Sequence, residues 1–497
     1  MPSTQPNIVL FFTDQLRADA LGCYGNQICK TPNIDRLATQ GVIFNNAYTT
    51  SPVCSPSRAS LMTGLYPHNH GVMLNTHIGP AWSRGLSREV TVFSDILKDN
   101  GYRLDYAGKW HVHQDIPADE YGFDTYESLQ EILLKNKQVG REVGKLIQES
   151  GSFIEFPYGD KVCVAGAVSG PKENYPAWQV VDAGIDRIEK NAKRKEPFFA
   201  RIDITAPHFG NTIPEPYSSM YDPNEIPPWP NFDETFVGKP ASHLKKHQDW
   251  NLQDKGWGWW KQVVAKYYGD VSLIDDLVGL TLRAIEDAGI ADNTIFIFST
   301  DHGDSTGSHK HFEKAGTMYE EVFKNPLIMR LPNGMARVKE VNQYVRLMDL
   351  MPTFVDWAGG EIPEKLDGSS IVPLLQKQVP EDWPDSVYTE HHGEVWGYSS
   401  QRMVKTDQWK YVMNSHDLDE LYDLQKDPWE MKNIINEEAF SAVLTEMKAR
   451  MLGWNDATGD MFKWLWVRYN FPDPVLPGDA SSENLPLTCM KKLKHQA

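Results

Sequence analysis

The chain is predicted to be an α/β protein: a large, mostly parallel sheet sandwiched by helices, followed by a smaller α+β subdomain. Three observations predict it. First, Ile8-Val9-Leu10-Phe11-Phe12 and Thr294-Ile295-Phe296-Ile297-Phe298-Ser299-Thr300 are apolar runs without alternation. Strands read that way when both faces are buried, as in a parallel sheet. Second, segments of helical period separate the strand-like runs, among them 92–100, 178–192 and 262–288, which is the alternation expected of an α/β sheet. Third, from about Pro384 the pattern shortens to the strand-like pieces Val387-Tyr388-Thr389, Arg402-Met403-Val404-Lys405, Lys410-Tyr411-Val412-Met413 and Glu420-Leu421-Tyr422-Asp423-Leu424, then a helix from Glu437 to about Leu452.

The 497 residues allow two to four domains at roughly 150 residues each. The division predicted is residues 1–383, 384–453 and a tail over 454–497. A formal charge of −18 argues against a nucleic-acid binder working by general attraction. It leaves room for an anionic substrate, because screening over about 8–10 Å lets a pocket be locally positive. No apolar run is long enough to span a bilayer, so no membrane partner is expected. Met1-Pro2-Ser3-Thr4-Gln5-Pro6 lacks the pattern of a signal peptide. As written the protein reads as cytoplasmic; a trimmed export signal would make it periplasmic or secreted. Cys23, Cys29, Cys54, Cys163 and Cys489 are odd in number and show no metal-site spacing. All but Cys54 read as free thiols.

The first buried run exits into Thr13-Asp14-Gln15 and the second into Asp301-His302-Gly303-Asp304. In open α/β sheets, ligands sit outside the carboxyl ends of the strands. Two such exits, far apart in sequence, can converge there. Asp14 and Asp301 offer hard oxygens and Gln15 a neutral one, a set suited to Ca²⁺ or Mg²⁺; the His302 imidazole makes Mn²⁺ admissible. A helix N-cap is the plain alternative for Asp14.

Thr50-Ser51-Pro52-Val53-Cys54-Ser55-Pro56-Ser57-Arg58 places a thiol after a turn and at the start of a helix carrying Ala59 to Met62. A helix N-terminus favours an anion beside Cys54. Tyr102 to His111 reads as a strand, which would put Lys109 and His111 on one face. Pro197 to Ile204 is another strand, running into Thr205-Ala206-Pro207-His208. Tyr66-Pro67-His68-Asn69-His70-Gly71 and Ser308 to Lys314 read as loops, and His391 and His392 fall in a loop of the C-terminal unit. Trp250, Trp257, Trp259 and Trp260 form either a sugar-stacking platform or packing for the insertion over 214–258.

Cys-x-Pro-x-Arg followed by a small-residue helix and Thr63-Gly64, together with Gly108-Lys109-Trp110-His111, resembles the signature of the type I sulfatases, of the alkaline-phosphatase-like superfamily. The likeness runs from Asn7 to about Asn433. It implies a formylglycine made from Cys54 by a maturation enzyme, whose hydrate is the nucleophile and is polarised by Arg58. It further implies a metal at Asp14, Gln15, Cys54, Asp301 and His302, with Ca²⁺ first. Lys109 and Lys314 would face the sulfate, with Lys310 as the alternative lysine. His208 or Lys314 would protonate the leaving alcohol, and His111 would take the proton of the second hydroxyl. His70, His391 and His392 are substrate-side candidates. The C-terminal unit is implied to be an antiparallel sheet with one helix.

The sequence departs from the common pattern at Gln15 and His302, where many sulfatases carry aspartate and asparagine. The related phosphonate monoester hydrolases share that pair. The leading expectation is therefore a sulfuric ester hydrolase acting on a sulfated small molecule or oligosaccharide. A phosphonate or phosphate diester hydrolase with the same nucleophile is the second reading, and a non-catalytic sulfated-glycan binding protein the third. The tail, with Trp464, Trp466 and Tyr469, reads as an assembly surface of a homo-oligomer.

Overall fold

The computed structural model describes residues 5–78, 81, 83–135, 151–157, 159–394 and 397–462. Cys489 and the tail from residue 463 lie outside the described residues, as do the aromatic residues read there as an assembly surface.

Alternation of burial explains the uninterrupted apolar runs. Strand Asn7–Thr13 is buried throughout. Ile8, Leu10 and Phe12 join the core on one face of the sheet, Val9 and Phe11 the core on the other. Strand Thr294–Thr300 divides the same way, Ile295 and Ile297 against Phe296 and Phe298. Each large apolar side chain so buried contributes about 1.5–3 kcal/mol, so neither strand could face water on one side without loss.

The sheet has eight strands in the order Glu340–Val341, Val42–Phe44, Leu327–Arg330, Thr294–Thr300, Asn7–Thr13, Phe198–Asp203, Arg103–Gly108, Thr125–Ser128. All run parallel except Leu327–Arg330, which is antiparallel to both neighbours. Asn7–Thr13 and Thr294–Thr300 are direct neighbours, with Thr13 opposite Thr300. Phe198–Asp203 lies on the other side of Asn7–Thr13. Asp14, Asp301 and Asp203 therefore leave or end adjacent strands at one edge of the sheet. The long helix Trp257–Asp287 and helix Pro176–Asn191 cover one face. Helices Cys54–Thr63, Phe93–Asp99 and Leu350–Ala358 cover the other.

The C-terminal unit is a four-stranded antiparallel sheet, Val387–Glu394, Gly397–Lys405, Trp409–Asn414 and Glu420–Asp423. Met447 and Met451 of helix Ser441–Thr458 pack on its Tyr388, Val404, Tyr411 and Leu421. That helix runs past residue 453, so the predicted boundary there cuts through an element. The Glu390 N–H donates to Thr50 O at 2.9 Å, which ties the unit to the turn before Cys54.

Several local readings are corrected. Tyr66 to Gly71 is not all loop: Pro67–His70 forms one helical turn, closed by Gly71 in the left-handed region. His391 and His392 lie on strand Val387–Glu394, not in a loop. Of the two readings of the four tryptophans, packing is the one that holds. Trp250 and Trp260 are buried against Phe312, Val263 and Ile154, with Trp257 and Trp259 beside them. A three-stranded sheet, Ser152–Glu155, Lys161–Val168 and Asn211–Pro214, was not foreseen.

The strand read over Tyr102 to His111 ends at Gly108. Lys109 and His111 are placed by the loop after it, not by strand alternation. Gly108 has φ +106°, and a Cβ there would lie 2.0 Å from Asp203 O. That close approach lets the Lys109 N–H donate to Asp203 O at 2.9 Å. Gly108→Ala is expected to cost about 3 kcal/mol and to lower kcat through a displaced Lys109; urea unfolding and turnover of the same preparation check both.

Candidate active site at the strand exits

Helix Cys54–Thr63 begins at Cys54 itself, with Val53 extended before it, and ends at Gly64 with φ +72°, the left-handed cap that glycine adopts without strain. All ten residues are buried, which accounts for the small side chains Ser55, Ser57, Ala59 and Ser60. Its first turn is held from outside: the Ser55 N–H donates to Asn75 Oδ1 at 3.0 Å. Ser57 Oγ donates to Asp301 O at 2.7 Å. Cys54 and Arg58 are four residues apart, hence on one face, and that face meets the strand exits.

Arg58 donates from Nε to Asp301 at 2.9 Å, from Nη1 to Asp203 at 2.7 Å and from Nη2 to Asp14 at 3.3 Å, and all four side chains are fully buried. Its guanidinium is held charged: burial opposes this, and the three carboxylates overcome it. Arg201 donates twice to Asp203, at 2.8 Å each, and Tyr106 donates to it at 2.7 Å. Lys109 Nζ donates to Asp14 Oδ2. Burial and the Cys54 thiolate disfavour ionisation of Asp14, yet Lys109, His208 and Arg58 hold it well below the usual carboxylate range.

Around Cys54 Sγ stand His302 Nε2 at 3.3 Å and Asp14 Oδ1 at 3.7 Å. Burial would raise the thiol, but Lys109, Lys314, His302 and a hydrogen bond with His111 drive it far below its ordinary value. His302 Nδ1 is 2.9 Å from Gly303 O, which fixes the proton on Nδ1 and turns Nε2 inward. Asp14, Cys54, Asp301 and His302 offer four ligand atoms, all within 4.8 Å of one another and all buried. Two carboxylate oxygens, one imidazole nitrogen and the residue-54 side chain suit a divalent cation. Gln15 is placed differently: its Oε1 accepts from Lys314 at 2.8 Å and its Nε2 donates to Asp304 at 2.6 Å. A second group, His68, Glu390 and Asp460, is closed by its own ion pairs with Arg402 and His68.

Lys314 is buried and its ammonium donates to Gln15 Oε1, His208 Nε2 and Glu313 Oε1, each at 2.8 Å. Of Lys310 and Lys314, it is Lys314 whose ammonium is placed here; the Lys310 carbonyl accepts from His247 at 2.8 Å. His111 lies beside Cys54, and burial first, then Lys109, pushes it down to about 4. Lys109, His111, His208 and Lys314 thus surround the residue-54 side chain with nitrogen donors and acceptors.

The other histidines make contacts within the protein, at both ring nitrogens of His70 but at only one of His391, whose Nδ1 has no partner among the described residues and whose ring lines a cavity with Lys314. His70 is buried, Nε2 3.1 Å from Ser60 Oγ and Nδ1 accepting from the Val72 N–H at 3.1 Å; it clasps the Cys54 helix instead of facing a substrate. His391 is buried and its Nε2 accepts from the Gly316 N–H at 3.3 Å, bracing the Lys314 loop. His392 borders Glu390 at 3.5 Å. Sequence reasoning missed Asp203, Tyr106, Arg201 and Asn75. Asp203 alone had a signal, as a carboxylate at the end of a buried strand.

A buried, charge-balanced crevice at the exits of a parallel sheet, holding a divalent-cation donor set beside a thiolate and two lysines, defines a hydrolase of anionic esters on an alkaline-phosphatase-like fold. The sulfatase family pattern matches residues 6–360, and the chain belongs to the sulfatase family. A second pattern, the C-terminal part of N-sulphoglucosamine sulphohydrolase, matches residues 307–456. The chain is 31% identical over 484 residues to an arylsulfatase of Clostridium perfringens, covering 91% of this chain and 96% of the other. It is 28% identical over 478 residues to an ulvan-active sulfatase of Formosa agariphila, covering 94% and 85%. Among solved structures, BT4656 bound to its substrate D-glucosamine-2-N,6-O-disulfate superposes with TM-score 0.75 at 24% identity over 92% of this chain and 99% of that one. A phosphonate monoester hydrolase of Agrobacterium radiobacter does so with TM-score 0.75 at 23% identity over 91% and 96%. The protein is an enzyme that hydrolyses sulfate esters.

Burial keeps both His70 and His391 neutral, pushing each down to about 3. A base whose folded pKa is depressed stabilises the fold fully above its unfolded value, near 6.5, and loses that contribution as pH falls toward 3. Their contribution to the unfolding free energy is expected to fall below about pH 6.5, by about 1.4 kcal/mol per buried histidine at pH 5.5. His70→Gln should flatten that slope while lowering stability at pH 8, which denaturant melts across pH would register.

Proposed function

We propose that the chain removes sulfate from a sulfated carbohydrate, using a formylglycine derived from Cys54 and a divalent cation, Ca²⁺ in the first instance. The observation that carries this reading is Cys54 at a helix start, its sulfur among Asp14, Asp301 and His302 and facing Lys109, Lys314 and His111. Asp14, Asp301, His302 and residue 54 would hold the cation, with Gln15 Oε1 available once Lys314 turns to the substrate. The bound cation would supply Lewis-acid polarisation of the ester and orientation of the reacting oxygens. The hydrated aldehyde would supply the nucleophilic oxygen and a second hydroxyl from which the enzyme regenerates.

This chain's own residues then have separable tasks. Arg58, fixed by three carboxylates, holds positive charge beside residue 54 without moving. Lys109 and Lys314 stabilise charge growing on the sulfate oxygens. The Lys314–His208 pair, 2.8 Å apart, stands where a leaving alcohol needs a proton; general acid catalysis of this kind is worth about 10²–10⁴-fold. His111, low in pKa and beside residue 54, accepts the proton of the second hydroxyl. The carbohydrate assignment draws on the ulvan-active relative and on the C-terminal match to a sulphoglucosamine sulphohydrolase.

Sulfate release from defined sulfated sugars, with the mass of the residue-54 peptide measured in parallel, tests the reading. Unmodified Cys54 in a preparation that turns over would refute the aldehyde. Faster turnover of an aryl phosphonate than of the matching aryl sulfate would favour the phosphonate reading. Cys54→Ser is expected to stop at one equivalent of bound sulfate or to be inactive, because serine has no second hydroxyl to expel the sulfate; intact mass and burst kinetics distinguish these from turnover.

A further inference from the structure

His77 follows the Cys54 helix by a loop that the reading of the reaction above does not use. That loop is pinned to the helix start, since Asn75 Oδ1 accepts from the Ser55 N–H and the Thr76 N–H donates to Ser55 Oγ at 3.3 Å. The pinning carries His77 over His111. The rings are 5.0 Å apart at 30°, and His77 Nδ1 is 2.9 Å from His111 Nε2. His111 is half-buried; His77 is exposed. His77, His111 and Lys109 line one cavity of about 490 Å³.

Two imidazole nitrogens at that distance share one hydrogen, so one ring donates and the other accepts. The contact thereby couples their tautomers. It also occupies His111 Nε2 and leaves the buried Nδ1, on a ring that already interacts with the residue-54 side chain, as the nitrogen available to the reacting hydroxyl. Every turnover loads a proton onto His111, and that proton must reach water before the next.

We propose that His77 is the positioning residue that holds the His111 ring and relays its proton to solvent. The inference rests on the assignment of His111 as the base. The transfer balances without any added reagent. The hydroxyl proton goes to His111 Nδ1, the Nε2 proton of His111 passes to His77 Nδ1, and the Nε2 proton of His77 leaves to water. Both rings end neutral in the other tautomer, no electrons change hands, and exchange with water resets the tautomers.

The test compares His77→Ala, His77→Gln and His111→Ala in the metal-loaded, matured enzyme with an aryl sulfate. His77→Ala is expected to lower kcat by about tenfold or more, to change KM less than about twofold, and to regain kcat when imidazole is added to the buffer. His77→Gln keeps a hydrogen bond to His111 but carries no proton, so it should remain slow. Full kcat in His77→Ala, full kcat in His77→Gln, or no rescue by imidazole would each overturn the relay. Should His111→Ala turn over normally, the base assignment fails instead, a result separate from an inactive His111→Ala paired with a fully active His77→Ala.

Discussion

One guanidinium holds the active site together. Arg58 joins carboxylates from the ends of three neighbouring strands, Asp14, Asp203 and Asp301. Taking such charges out of water costs several kcal/mol per ion, and their attraction offsets it only where geometry is good and remaining lone pairs are satisfied. Here they are satisfied: Arg201 and Tyr106 complete Asp203, Lys109 completes Asp14, and the Gln15 and His302 N–H groups donate to Asp301. Three carboxylates thus meet three permanent cations, Arg58, Lys109 and Arg201. Because Arg58 shares a helix face with Cys54, the same contacts that bind the helix to the sheet set residue 54 against the cation donors. Stability and catalytic geometry are one set of bonds.

A second layer positions the groups meant to move protons and charge. Gly108 turns the chain so that Lys109 faces Asp14. Lys246 donates to the carbonyls of Lys314 and Ala315 at 3.1 and 2.7 Å, and His391 accepts from Gly316. The Lys314 loop is therefore clamped between helix Ala241–Asp249 and the C-terminal sheet. The smaller domain thus braces the site from one side. The domain does not have to touch the reacting atoms to matter, since it fixes the lysine that does.

The main sheet was legible because burial on both faces leaves an uninterrupted apolar run, and a carboxylate ending such a run has no role in packing. Asp14 and Asp301 stood out on that ground. Asp203 ends a run in the same way, but Arg201 two residues before it breaks the apolar pattern that marks the other two exits. Lys109 and His111 were found from their motif and misplaced by periodicity, since nothing in Tyr102 to His111 marks Gly108 as the strand's last residue except the glycine itself. His70 is hard to place from sequence for a different reason. A histidine's type does not reveal whether its nitrogens are already engaged, and both of His70's are, by Ser60 and Val72. The tryptophans were undecidable by composition, since a sugar platform and a packing core use the same residue.

The division of labour bears on how substrate is chosen. The reaction centre lies between two cavities, one of about 490 Å³ bordered by His77, Lys109 and His111 and one of about 270 Å³ bordered by Lys246, Lys314 and His391. Their inner walls belong to the charge network and its braces, where a change of residue would unbalance buried charge. Their outer walls carry the exposed Gln114 and Gln130 on one side and Lys245 on the other. None of these touches Arg58 or its carboxylates. A substitution there alters what fits without disturbing the ions beneath, so the fold can keep one chemistry while its rim selects among sulfated ligands.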